Sequence, residues 1–270
     1  MVIALIVVIG LGFLAVEHWW PAAALPRVRA WYPRVILINA IQAAIVVVIG
    51  TTWDRVLNAN SLLRLQDSLD VVPQGVVAYL VASFVFYWWH RWRHTSDFWW
   101  RVCHQLHHSA QRIEVLTSFY KHPVEITLNA MLSSAITYGI LGISIEAAMV
   151  CTLLSALAEF FYHWNVRTPV WLGPIIQRPE SHRIHHRRNY HTNNYGDLPV
   201  LDLLFGTYQN ATALEKRCGF SNKRADRFAE MLAFRDVHDR AVPATSPLHL
   251  VPTCIGCRKR WACAAARSAS

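Results

Sequence analysis

Long stretches almost free of polar residues alternate along this chain with short ones crowded with arginine, tryptophan and histidine. Four apolar stretches stand out, at residues 2 to 16, 36 to 50, 71 to 89 and 124 to 163. Crossing the hydrocarbon of a bilayer takes about 20 predominantly apolar residues, so the first three are each read as one helix. The last has length for two crossings at about 1.5 Å rise per residue, or for a shallow hairpin, with its turn near Gly139 to Gly142. Composition agrees, since 54% hydrophobic and 16% charged residues are too apolar for an ordinary soluble domain. The expectation is an all-α integral membrane protein with about four transmembrane helices. Only Met1 precedes the first run, and no polar domain follows it directly, so it reads as an anchor rather than a cleaved signal peptide.

Charge changes the picture in two ways. Arg27, Arg29 and Arg34 follow the first run and Arg91, Arg93 and Arg101 the third, whereas the loop between the second and third sets Asp54, Asp67 and Asp70 against Arg55 and Arg64. Cytoplasmic loops retain basic residues, so the third span is expected to end in the cytoplasm and the amino terminus to lie outside. Trp19, Trp20, Trp88, Trp89, Trp99 and Trp100 mark the span ends as interfacial aromatics do. A net charge of +9 invites a nucleic-acid reading, but no nucleic-acid motif accompanies it; membrane headgroups and an acidic redox partner are the expected beneficiaries. Cys254 and Cys257 form a Cys-x-x-Cys near Cys263 with no second pair at zinc-ribbon spacing, and the end of the chain reads as a poorly ordered tail. The division that results is 1–70 for anchor helices, 71–210 for a catalytic domain and 211–270 for a basic tail, partly disordered.

The candidate chemistry lies in the segment FYWWHRWRHTSDFWWRVCHQLHHS. His90 and His94 are four apart and share a helix face; His104, His107 and His108 repeat the spacing at three and four, and His182, His185 and His186 repeat the same pattern later. Imidazole suits iron, zinc, copper and nickel, and three or four such ligands saturate one zinc, so eight argue for two ions. Glu159 lies four before His163, on the same helical face, where it either orients that imidazole or is an interfacial glutamate.

In order along the chain, WHRWRH, HQLHHS, KHPVE around His122, YHWNVR around His163, SHRIHH and NYGDLPVLDLLFGTY resemble the fatty acid hydroxylase/sterol desaturase superfamily of membrane di-iron enzymes. The resemblance covers about half the chain, Pro73 to Tyr208. It implies a membrane base of four helices under a cytosolic helical cap that carries a histidine-rich dimetal site. It also implies two Fe ions, O2 as co-substrate, and hydroxylation or desaturation of an apolar lipid such as a fatty acyl chain, sterol or carotenoid. The implied ligands are His90, His94, His104, His107, His108, His182, His185 and His186, with His163 a ninth. Some members carry a further histidine four after His163, where this chain has Arg167, with Asn165 between. His122 and then His191 follow as substitutes, and Asp202 either supports a ligand or caps a helix. No haem, flavin or ferredoxin segment is visible, so electrons must come from a ferredoxin, or from a cytochrome with its reductase. The expected location is a bacterial inner membrane or the endoplasmic reticulum, with the histidines at the cytoplasmic face. Two rivals stay open: a zinc-dependent membrane hydrolase, against which stands the lack of an HExxH segment, and a metal-binding membrane protein without turnover.

Overall fold

The computed structural model describes residues 2–237, and Cys254, Cys257 and Cys263 lie outside the described residues. Among these the chain is helical, without strands. The long helices are α1 (Val2–Trp19), α2 (Trp31–Asn58), α3 (Val71–Thr95) and, further on, α6 (Pro123–Ser134) and α7 (Ile145–His163). Short helices α4 (Asp97–Trp99) and α5 (Gln105–His108) flank a π-helical turn at Trp100–His104. The rest of the cap contains α8 (Pro179–His185), α9 (Pro199–Leu204), α10 (Asn222–Ala225) and α11 (Phe228–Leu232).

Four helices, Val2–Trp19, Trp31–Asp54, Val71–Thr95 and Ile145–His163, are long and apolar enough to cross a membrane, and the protein is an integral membrane protein. Their outward faces are apolar, with Val8, Ile36 and Val48 largely exposed, as a lipid-facing surface requires. α6 continues through a second π-helical stretch, Ala135–Ile140, and turns at Gly142, whose φ of 59° favours glycine. The hairpin anticipated in residues 124 to 163 is thus formed by α6 and α7. Its far end is held by the α2–α3 connection, where the N–H groups of Leu62, Leu63, Leu65 and Gln66 donate to the carbonyls of Gly139, Ile140, Leu141 and Gly142. Carbonyls at a helix end have no partner inside the helix, and a neighbouring segment supplies them here.

α3 and α7 pack closely. A Cβ on Gly75 would stand 2.5 Å from Val150 Cβ and 2.7 Å from the carbonyl of Ala147. At the opposite end α1 is tied to the cap by the Glu17 carboxylate, which accepts from the backbone N–H groups of Val115 and Asn165, both at 3.1 Å. Trp31 at the start of α2 donates its indole N–H to Glu114 at 2.6 Å.

One expectation changes form. Residues 211 to 237, read from sequence as the head of a tail, are packed on the cap. Phe220, Ala225, Met231 and Val237 share a core with Trp31, Leu106 and Tyr120, and Gln105 donates to the carbonyl of Arg235 at 2.8 Å. With α10 and α11 at four and five residues, neither is long enough to show a helical period in the sequence.

Candidate metal centre

Two features bring distant histidines to one end of the bundle. α3 runs far enough past its apolar part to carry His90 and His94, and α7 ends at His163. Above them, α5 and α8 present the two His-x-x-His-His patterns. His90, His94, His104, His108 and His185 form one group and His107, His163, His182 and His186 a second, with the candidate ligand nitrogens of each group within 4.8 Å of one another. The division follows helix geometry. At α5 the pair four apart, His104 at the end of the π-helical turn and His108, belongs to the first group and His107 to the second; at α8 the pair four apart, His182 and the capping His186, belongs to the second and His185 to the first. The two patterns are therefore used in exchanged roles, and both short helices reach both groups.

The outward nitrogens say what state the rings are in. Nδ1 of His90 donates to the carbonyl of Tyr195 (2.7 Å), that of His185 to Asn193 (2.7 Å), that of His163 to Glu159 (2.9 Å) and that of His107 to Tyr120 (3.3 Å). A carbonyl oxygen only accepts, so the proton of each of these neutral rings is on Nδ1 and the lone pair is on the inward Nε2. His104 does the same with the buried Glu125 carboxylate at 3.1 Å, which also pairs with Arg93. Inside the first group, Nε2 of His94 lies 3.3 Å from that of His90 and 3.0 Å from that of His104, and His104 and His108 are 3.1 Å apart. In the second group His182 Nε2 is 3.2 Å from His163 Nε2 and 3.1 Å from His186 Nε2. At such distances two neighbouring Nε2 atoms either share a proton or turn both lone pairs to one cation, and the rings already protonated on Nδ1 offer lone pairs for it. The donor set fits a metal with nitrogen preference.

Burial supports the same state. It is the largest cause holding His104, His107, His108, His182 and His186 well below the ordinary imidazole range; the Arg93 charge adds to it at His104 and neighbouring imidazoles at the others. These rings stay neutral, as ligands must. Aromatic walls keep water away: the Tyr195 ring stands 5.3 to 5.6 Å from His94, His185 and His90, and Trp100 lies 5.2 Å from His108. Of the nine, His90 alone is not fully buried, and it sits one turn nearer the apolar part of α3 than His94.

The remaining candidates are placed as follows. Arg167, at the position where a further histidine was sought, is exposed, and the second group has four members against five in the first. His122 does not substitute: it caps α6, its Nδ1 accepting from the Val124 N–H at 3.1 Å, with Nε2 on the carbonyl of Leu232 at 3.3 Å. His191 is buried behind His108, their Nδ1 atoms 3.1 Å apart, and belongs to neither group. Asn165 is a tie, not a ligand: its side-chain amide donates to Ala23 O (2.9 Å) and its Oδ1 accepts from Arg183 (2.9 Å). Glu159 orients His163 through its backbone carbonyl, while its carboxylate binds Lys121 at 2.6 Å and stands 3.6 Å from His163 Nδ1. Asp202 accepts from the backbone N–H groups of Tyr195 and Gly196, both at 2.9 Å, and so holds the carbonyl on which His90 rests. Beside the second group, desolvation raises the Asp197 carboxyl to about 7, and its hydrogen bond is with Tyr162, whose ring lies 4.4 Å from His182.

Glu125 and Arg93, which contact His104, are the residues at the candidate site that the sequence analysis does not single out for it. Glu125 lies inside the KHPVE segment, and an acid within an apolar run was the signal available.

The fatty acid hydroxylase family model matches residues 75–207. A very-long-chain aldehyde decarbonylase of rice, GL1-11 from Oryza sativa subsp. indica, is 31% identical over 195 residues, 69% of this chain and 72% of the relative. This chain belongs to the fatty acid hydroxylase family. Human alkylglycerol monooxygenase is 32% identical over 140 residues, 49% of this chain, which spans only 30% of that protein's length. Methylsterol monooxygenase 2-2 of Arabidopsis thaliana is 31% identical over 159 residues, 57% of this chain and 59% of the relative. No solved structure gives a significant match. Family membership and these monooxygenase relatives support a lipid-modifying oxygenase, and the four apolar helices place it in a membrane.

Proposed function

We propose that this protein hydroxylates an apolar lipid with O2, at two iron ions held by the nine histidines on the cytoplasmic face of its membrane. The observation that carries the reading is the pair of buried imidazole groups, five and four strong, at the end of an apolar bundle and least covered at His90. Breaking an unactivated C–H bond is beyond any side chain, and iron with O2 supplies that oxidising power. Neutral imidazoles hold such ions without adding negative charge, unlike the glutamate-rich sites of soluble four-helix di-iron proteins.

The protein's own contribution is positional. Carbonyls and Glu125 set the ring orientations, Tyr195 and Trp100 exclude water, and His90, the one partly exposed ring of the nine, lies on α3 next to its apolar part. Asp197, with its carboxyl near 7, holds or yields a proton close to neutral pH beside the second group. Reducing equivalents come from an outside redox protein, a ferredoxin or a cytochrome. Metal analysis of the purified chain in detergent tests the reading directly. Two irons per chain, O2 uptake on adding a reductant chain and a lipid product heavier by one oxygen are expected; zinc with ester or amide hydrolysis refutes it.

A further inference from the structure

The face of α8 opposite the histidines opens on a recess of about 630 Å³, with Ile184 and Arg187 on one side and Leu214, Glu215, Lys216 and Arg217 among the residues on the other. Ile184 sits between His182 and His185, so a molecule in the recess is one helix wall away from both metal groups. The outer wall is joined to that helix by backbone hydrogen bonds: Gly219 N–H donates to His186 O at 3.0 Å and Arg188 N–H to Arg217 O at 2.8 Å. Three cationic side chains line the recess against one carboxylate, Glu215, which lies 3.9 Å from Arg187. Lys216 and Arg217 are exposed.

We infer that this recess is the docking site of the electron donor, an acidic protein carrying a one-electron iron–sulfur or haem centre. The inference rests on the oxygenase reading. In hydroxylation by O2, one oxygen atom enters the C–H bond to give C–O–H and the other leaves as water. The reaction consumes two protons and two electrons, and the electrons come from two successive encounters in each of which one reduced donor molecule is oxidised by one electron. A basic recess fits an acidic partner by charge. Its position gives the electron a route through α8, covalently at Ile184–His185 and across the Gly219–His186 hydrogen bond. Electrostatic steering of this kind raises association rates by roughly ten- to a thousandfold at low salt.

The test uses the full chain in detergent, loaded with iron, against two probes, a reduced plant-type ferredoxin and the reduced soluble domain of an acidic cytochrome b5. The double variant Lys216→Glu/Arg217→Glu is expected to lower the second-order rate of reduction by at least one probe about tenfold at low salt and to flatten its salt dependence. Reduction by dithionite stays unchanged, and Arg29→Glu, a charge reversal on the exposed α1–α2 connection, has no effect. Rates equal to the parent with both probes overturn the proposal. So does an equal loss in Arg29→Glu, a shift only in oligomeric state, or a loss of binding to phosphatidylglycerol vesicles with donor rates intact. Binding of the oxidised probes to the metal-free chain, expected to weaken in the double variant, reads the recess even if no iron is bound. Failure of dithionite to reduce any bound metal would count against the oxygenase reading alone.

Discussion

Removing the Glu125 carboxylate should separate two jobs that one side chain does. Glu125 has a fully buried side chain, its partner Arg93 is 6% exposed, and the same carboxylate receives the Nδ1–H of His104. Glu125→Ala leaves a buried guanidinium without its counter-ion, a change that costs roughly 3–5 kcal/mol. It also frees the His104 ring to rotate, and loss of such a partner weakens metal binding about 10- to 100-fold. Thermal unfolding of the metal-free protein in detergent reads the first effect; a chelator competition with iron reads the second. Replacing both partners, Arg93→Met with Glu125→Leu, removes the unpaired charge, and exchanging a buried pair for packed apolar groups is often neutral or stabilising. Stability should therefore return towards the parent while iron binding stays weak. If the double replacement restores both, or if Glu125→Ala alters neither, the carboxylate does not position His104 and the reasoning fails.

Other outcomes follow from the same geometry. His185→Ala takes the first group from five imidazoles to four and His107→Ala the second from four to three, and each should lower the iron content found by elemental analysis, with insertion into membranes intact; unchanged iron in both would remove the ligand assignment. For the metal-free protein, the buried histidines of the cap have folded pKa values below their unfolded ones. Their contribution to stability is thus complete above about pH 6.5 and falls as pH drops through that value, by up to about 1.4 kcal/mol per unit for each ring. A melting temperature flat from pH 7 down to 5 would contradict it. Gly75→Val should force α3 from α7, costing about 1–3 kcal/mol and lowering the melting temperature, because its Cβ meets a backbone carbonyl as well as a side chain. Asp202→Ala should loosen the Tyr195 carbonyl under His90 and reduce iron affinity about 10-fold or more in the chelator assay.

What the sequence could show here was set by how local each feature is. His90 with His94 and the two His-x-x-His-His patterns follow from helical spacing alone, and the turn at Gly142 from glycines in an apolar run long enough for two helices. Which histidine joins which group was not legible, because it depends on how α5 and α8 cross α3 and α7. The acceptors that fix the rings are mostly backbone carbonyls, of Tyr195, Asn193, Tyr120 and Glu159, and a carbonyl leaves no mark in residue identity. His122, offered by the resemblance only as a substitute ligand, is a helix cap. Glu125 escaped because no local spacing ties it to its partners: Arg93 and His104 are 32 and 21 residues away.

The π-helical turn at Trp100–His104 carries one more residue than an α-helical turn would hold over the same arc. Deleting a single amino acid within Val102–Cys103 should convert it to ordinary helix and leave the imidazoles beyond it aimed as before. The interval of ten between His94 and His104 is therefore elastic by one. Relatives with an interval of nine are to be expected, and a search pattern with a fixed count would pass over them.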